Sequence, residues 1–224
     1  MPDRRDPVAW VLHRGLHSMV RRGLRGVWLR GRIPDGRFVW AANHHSWWDP
    51  FLASIVLDRY GRAPCLIMLQ DNLQRYGITR RLGVFGTAEL RRGLAYLNEG
   101  RVLVIYPEGE LRPADQLGDL ADGAAWYAER TGATLCAVAT RVIARGHQAP
   151  EAYVSCVDVD GTGSVHEVTR RLGCTLAHEL SRVDRLAATV DPRQPLPGYR
   201  LLVRGRRSWE ERIDMVPWRR QWRP

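Results

Sequence analysis

The sequence predicts an α/β domain with a central mixed sheet flanked by helices and an N-terminal amphipathic helical segment. Three observations carry that expectation. Short apolar blocks with strand character alternate with stretches of helical periodicity through the middle of the chain. The 224 residues, 45% of them hydrophobic, supply one sizeable core. No internal repeat or low-complexity segment interrupts the pattern, so one domain is expected over 1–224: a helical segment 1–32, a core 33–198 and a basic Trp/Arg-rich tail 199–224.

In order along the chain, residues 7–30 fit an amphipathic helix. At about 100° per residue, Val8, Leu12, Leu16, Met19, Val20 and Val27 share one side. Arg14, Arg21, Arg22 and Arg25 lie opposite, with Trp10 and Trp28 at the border. A basic flank, an apolar stripe and boundary tryptophans suit a helix lying in a membrane interface. They suit equally a helix packed on its own domain with a solvated basic side. Gly15, Gly23 and Gly26 weaken the helix. Phe38–Ala42 reads as a strand, Pro50–Leu57 opens a helix, and Leu66–Leu69 is a short strand. Glu89–Asn98 is helical, with Leu90, Leu94 and Leu97 on one face and Gly100 as its stop. Val102–Tyr106 is a β-branched strand ending at Pro107. Gly123–Arg130 is helical, Leu135–Ile143 and Tyr153–Val159 are strands, and Glu167–Leu180 is a helix.

The formal charge of +10 is concentrated at the two ends. Residues 1–37 hold nine arginines against three acids, and 199–224 hold eight against three; the stretch between is nearly neutral. Such a body with basic ends suggests surface anchoring to anionic lipid and not nucleic-acid reading, for which no motif is present. All 34 basic residues are arginine, which fits bidentate phosphate binding or a biased codon usage. No apolar run approaches the roughly 18–20 residues of a spanning helix, and the arginine-studded start is unlike a signal peptide. Cys65, Cys136, Cys156 and Cys174 form no C-x-x-C pair and read as free thiols. His13, His17, His147, His166 and His178 show no metal-ligand pattern, so no metal is expected. Walker, dinucleotide and His-Glu-x-x-His motifs are absent.

The run Asn43-His44-His45-Ser46-Trp47-Trp48-Asp49-Pro50 follows directly on an apolar strand. A histidine at a strand end, with an aspartate five positions on, can form a base oriented by a carboxylate. The same residues also fit a capping box, Ser46 with Asp49 three positions later. Ser46 is poorly placed to share a hydrogen bond with His44, and no G-x-S-x-G elbow exists, which argues against a serine hydrolase. Trp47 and Trp48 suit either the mouth of a binding cleft or core packing.

Asn43-His44-x4-Asp49 followed some sixty residues later by Tyr106-Pro107-Glu108-Gly109 resembles the glycerolipid acyltransferase family, which includes lysophosphatidate acyltransferases. The resemblance covers roughly residues 8–160. It implies transfer of an acyl group from a thioester, on coenzyme A or acyl carrier protein, to a hydroxyl of a lipid-like acceptor. No cofactor beyond that co-substrate is implied. His44 would be the general base and Asp49 its orienting partner, with backbone N–H groups of the next helix available to an oxyanion. Asn43, Ser46, Glu108, Gly109 and Arg112 would bind substrate. The expected location is peripheral, on the cytoplasmic face of the cell membrane. Two departures stand out. The arginine usual three positions after the glutamate is replaced by Leu111, with Arg112 one place later. Gly83-Val84-Phe85 is not followed by an arginine in register, which opens the way to neutral acceptors such as a carotenoid glycoside or an aminolipid.

Overall fold

The computed structural model describes residues 6–213. Asp6 caps the first helix, α1 (Pro7–Gly23), by accepting from the N–H groups of Val8 and Ala9, and Pro7 opens it. The helix stops earlier than the sequence suggests. Gly26–Gly31 is instead strand β1, and Val27, Trp28 and Leu29 are core residues. The helical count over 7–30 was misled because Val27 and Trp28 continue the apolar stripe, while Gly23 and Gly26 mark the true break.

The strands and helices expected in the middle appear, joined by two short elements that were not expected, Gln70–Arg75 and Val84–Gly86. They are β2 (Phe38–Ala42), α2 (Asp49–Arg59), β3 (Pro64–Met68), α3 (Gln70–Arg75), β4 (Val84–Gly86), α4 (Leu90–Asn98) and β5 (Val102–Ile105). There follow α5 (Gly123–Thr131), β6 (Thr134–Ile143), β7 (Glu151–Val159) and α6 (Val165–Thr189). Short α3, the 3-10 turn Gly77–Leu82 and three-residue β4 are too brief to leave a periodic signal.

The segment expected as a tail is a further correction. Residues Arg200–Arg204 form β8, which pairs antiparallel with β1, and Trp209–Ile213 form α7. Its charged ends hid it: Arg200 and Arg204 are exposed, whereas Val203 between them is buried. The Trp/Arg-rich stretch from residue 214 on lies outside the described residues.

All eight strands join one sheet in the order β4-β3-β5-β2-β6-β7-β1-β8. Strands β4, β3, β5, β2 and β6 are parallel to one another, β6 and β7 form an antiparallel hairpin, and β1 runs parallel to β7. Both faces are covered. Phe38, Trp40 and Ala42 of β2 enter the core shared with α1 and α2, and Val39 and Ala41 enter the core beneath α4, α5 and α6. A strand buried on both sides reads as a continuous apolar run, which is why β2 was legible.

The chain leaves β2 over one face through α2 and leaves β5 over the other through α5. β2 and β5 are adjacent and parallel. Their carboxyl ends therefore flank a crevice where the connections diverge, the usual seat of a ligand in an open α/β sheet.

Candidate active site

At the carboxyl end of β2 the chain turns into α2 through Asn43–Trp48. Asp49 is the first residue of that helix and is 1% exposed. Its Oδ2 takes the N–H groups of His45 at 3.0 Å and Ser46 at 2.9 Å, and also faces His44 Nδ1 at 3.0 Å. Its Oδ1 accepts from the Thr140 hydroxyl at 3.1 Å. Every partner is used as a donor, so His44 carries its proton on Nδ1 and leaves Nε2 with its lone pair. Nε2 makes no hydrogen bond among the described residues, and the His44 side chain is 22% exposed.

The dyad and the cap are thus the same carboxylate. Asp49 reaches back to the Ser46 N–H, as a capping acid does, and still holds His44. The other half of a capping box is missing, because the Ser46 hydroxyl accepts from Trp48 N–H instead.

Below the imidazole lies Tyr106, its ring stacked at 4.5 Å and 30°. The Tyr106 hydroxyl is buried without a partner, and burial drives its pKa well above the ordinary value. It stays a neutral phenol and serves the imidazole as a platform.

Glu108 locks the other side of the turn. One carboxylate oxygen accepts from the His44 N–H at 2.7 Å and the other from the Gly118 N–H at 2.9 Å. Arg112 N–H donates to the His44 carbonyl at 2.8 Å. Gly109 takes a positive φ of 74° in this loop, a conformation glycine adopts without cost. The guanidinium of Arg112 pairs with Glu110 at 2.6 Å, and its Nε is buried without a partner.

Several residues expected to touch substrate are occupied otherwise. Asn43 is buried and clamps β6, accepting from Thr140 N–H at 2.8 Å and donating to Thr140 C=O at 3.2 Å. Ser46 is held by Trp48, and Glu108 by two backbone amides. These bonds fix Asn43, Ser46 and Glu108 in the frame of the turn, while the Glu108 carboxylate and the Ser46 hydroxyl keep further hydrogen-bonding capacity. The oxyanion expectation changes in the same way. The N–H groups of His45, Ser46, Trp48 and Asp49 are all taken within the turn.

His45 turns away from His44, against the Asn43 amide at 3.1 Å and the Val142 N–H at 3.3 Å, and burial lowers its pKa. The two tryptophans divide the roles left open for them. Trp48 packs into the core against Gly23, where an added Cβ would sit 2.2 Å from its ring. Trp47 is 61% exposed and leans on Phe51 at 4.7 Å.

Thr140 was missed by the sequence reading. Ala42 pairs with Val138 in the parallel ladder, so Thr140 stands level with the turn at His44. That signal exists only once β2 and β6 are known to be neighbours. The arginines around Gly83-Val84-Phe85 are mostly balanced. Arg80 and Arg92 both bind Glu89, at 2.6 and 2.7 Å, and Arg81 binds Asp6 at 2.8 Å. These arginines hold the Glu89 carboxyl down to about 2.

A protein-family model described as Acyltransferase matches residues 26–141, just over half of the chain. No curated protein matches it in sequence. Among solved structures, the crystal structure of the 1-acyl-sn-glycerophosphate (LPA) acyltransferase PlsC from Thermotoga maritima aligns with a TM-score of 0.61. The identity is 18%, over 82% of this chain and 84% of that one, a likeness of fold.

Proposed function

This chain belongs to the acyltransferase family, and from that premise we propose that it moves a fatty acyl group from a thioester to a hydroxyl of a lipid-like acceptor. The donor is acyl-coenzyme A or acyl carrier protein. His44 Nε2 takes the proton of the acceptor hydroxyl as its oxygen attacks the thioester carbonyl. The proton later passes to the departing thiolate. Asp49 holds the tautomer that makes this direction of transfer available and stabilises the imidazolium that forms. A thioester is already activated, so no covalent enzyme intermediate is required.

The observation that carries the reading is the His44 Nδ1 to Asp49 Oδ2 contact of 3.0 Å, with the acid buried and the base exposed at one edge. The serine route lacks its key contact, since among the described residues Ser46 Oγ meets Trp48 N–H and makes no hydrogen bond to His44. Glu108 enters as a positioning residue, holding His44 by its backbone.

Two acceptor classes remain distinguishable by chemistry. A phosphate-bearing acceptor such as lysophosphatidate would be met by Arg112, which lies on the loop bonded to His44. A neutral acceptor, a glycoside or an aminolipid, is favoured by the neutralisation of Arg80 and Arg92 by Glu89. Membrane contact is supported by the exposed Val8, Trp10 and Val11 of α1 beside its arginines. Among the described residues no helix is long and apolar enough to cross a membrane. We place the protein on the cytoplasmic face of the cell membrane, held to anionic lipid.

Thioester consumption, followed with lysophosphatidate, glycerol phosphate, lyso-aminolipids and glycosylated carotenoids, tests the proposal. The wild-type protein consumes thioester with at least one acceptor, and His44→Ala does not. Turnover preserved in that variant would remove the mechanism. Flotation with anionic vesicles should fall as salt is raised.

A further inference from the structure

We propose that His13 and His17 of α1, with Asp58 of α2, form a binding site for a divalent transition-metal ion, zinc being the best chemical fit. The bound ion would fasten the N-terminal helix to the body. The two histidines stand four residues apart and so share one helical face. That face meets the carboxyl-terminal turn of α2, which brings Asp58 between them. One ligand atom from each of the three side chains lies within 4.8 Å of the other two.

The distances are informative. Asp58 Oδ1 lies 3.5 Å from His13 Nε2, and Oδ2 lies 3.7 Å from His17 Nδ1. These are long for hydrogen bonds, which cluster at about 2.7–3.2 Å. They are close to the spacing of about 3.3 Å between neighbouring ligands of a tetrahedral ion with bonds of about 2.0–2.1 Å. Asp58 Oδ1 is moreover buried with no hydrogen-bond partner. Buried polar atoms are nearly always paired, so an unpaired carboxylate oxygen between two imidazoles points to a missing partner.

Ionisation supports the same reading. Burial lowers the pKa of both imidazoles, that of His17 to about 4. Burial thus favours the neutral form of each imidazole, the form that offers a lone pair. Arg14 beside His13 and Arg21 beside His17 work in the same direction, and Asp58 opposes them. Two imidazoles and one carboxylate suit zinc better than magnesium or calcium, which prefer all-oxygen shells. The three side chains keep 15–23% of their surface exposed, enough for water to complete the shell. The site is separate from the dyad, because Asp49 and Asp58 stand at opposite ends of α2, about 14 Å apart along its axis.

The test uses untagged full-length protein stripped with a chelator, then dialysed against zinc, with cobalt as the spectroscopic probe. The expected result is retention of about one equivalent of zinc per chain and a visible spectrum of tetrahedral type with cobalt. Zinc should raise the melting temperature, and EDTA should reverse the rise. His17→Ala and Asp58→Asn lose the metal, whereas His166→Ala and His44→Ala retain it. His13→Gln, a milder change at the rim, weakens binding tenfold or more with an unchanged circular dichroism spectrum, which keeps the test valid if the other variants fold poorly. Failure of the wild-type protein to retain zinc overturns the proposal. So does retention unchanged in His13→Gln and Asp58→Asn, or loss in His44→Ala alone.

Discussion

Two histidine–carboxylate clusters sit at the two ends of α2, and their difference is instructive. At the amino end, Asp49 is saturated: two backbone amides, a threonine hydroxyl and one imidazole converge on it at 2.9–3.1 Å. At the carboxyl end, Asp58 faces two imidazoles at 3.5 and 3.7 Å and keeps one buried oxygen unpaired. The residue types are alike, but the backbone differs. The first carboxylate is held by the turn from which its histidine comes, so base and partner cannot drift apart. The second bridges separate helices, and nothing fixes the spacing. A proton-transfer pair needs the first kind of support; a cation can supply what the second lacks.

That contrast can be broken most sharply by removing the base. His44→Ala should lower acyl transfer by roughly 10²–10⁴-fold with the circular dichroism spectrum intact. Asp49→Asn should come next, at about 10²-fold or more, and should also lower the melting temperature. The new amide group cannot accept from His44, His45, Ser46 and Thr140 together, and one arrangement places N–H against N–H. Glu108→Gln sharpens the distinction between holding the base and holding the acceptor. Turnover should fall about tenfold while the acceptor KM stays within twofold, since the carboxylate grips His44 N–H. A raised acceptor KM with unchanged turnover would return Glu108 to substrate binding. Thr140→Val should cost about fivefold in turnover, the equivalent of one hydrogen bond of roughly 1 kcal/mol.

The smallest effect is expected at the loose cluster and shows as pH dependence. The folded pKa of His17 is depressed to about 4 from its ordinary 6.5, chiefly by burial. Between those values the unfolded chain binds the extra proton, so stability is full above pH 6.5 and declines as pH falls toward 4. Thermal melts of metal-free protein across that window should show the decline, and His17→Leu should flatten it. No such dependence in the wild-type protein would mean that His17 is better solvated than its surroundings suggest.

Much of the catalytic turn was legible because its residues are contiguous: His44 and Asp49 announce themselves within one short run. The middle strands were legible for a related reason, as β2 and β5 are apolar on every position and leave no alternative period. What escaped depends on long-range pairing. Thr140 joins Asp49 across 91 positions, and Glu108 reaches His44 N–H across 64. Motif similarity gave Glu108 as an acceptor ligand, and only the sheet order brings the β5 loop against the β2 corner so that its carboxylate meets the His44 N–H. Strand β1 was missed because its apolar residues continue the helical stripe of α1, and edge strand β8 because arginines at both of its ends leave it half-exposed. The histidines of α1 were dismissed on spacing within the sequence, and their third partner comes from another helix.

The placement of β1 has a further effect on how the molecule comes into being. Its strand neighbours are β7, beginning at residue 151, and β8, beginning at residue 200. During synthesis the first strand made must therefore wait for most of the chain before any edge is there to receive it. Contacts so distant in sequence slow folding, because loop closure must precede any reward. Until then the apolar stripe of α1 has no finished platform, and for a nascent chain emerging near a lipid surface that interval is when the surface competes best for it.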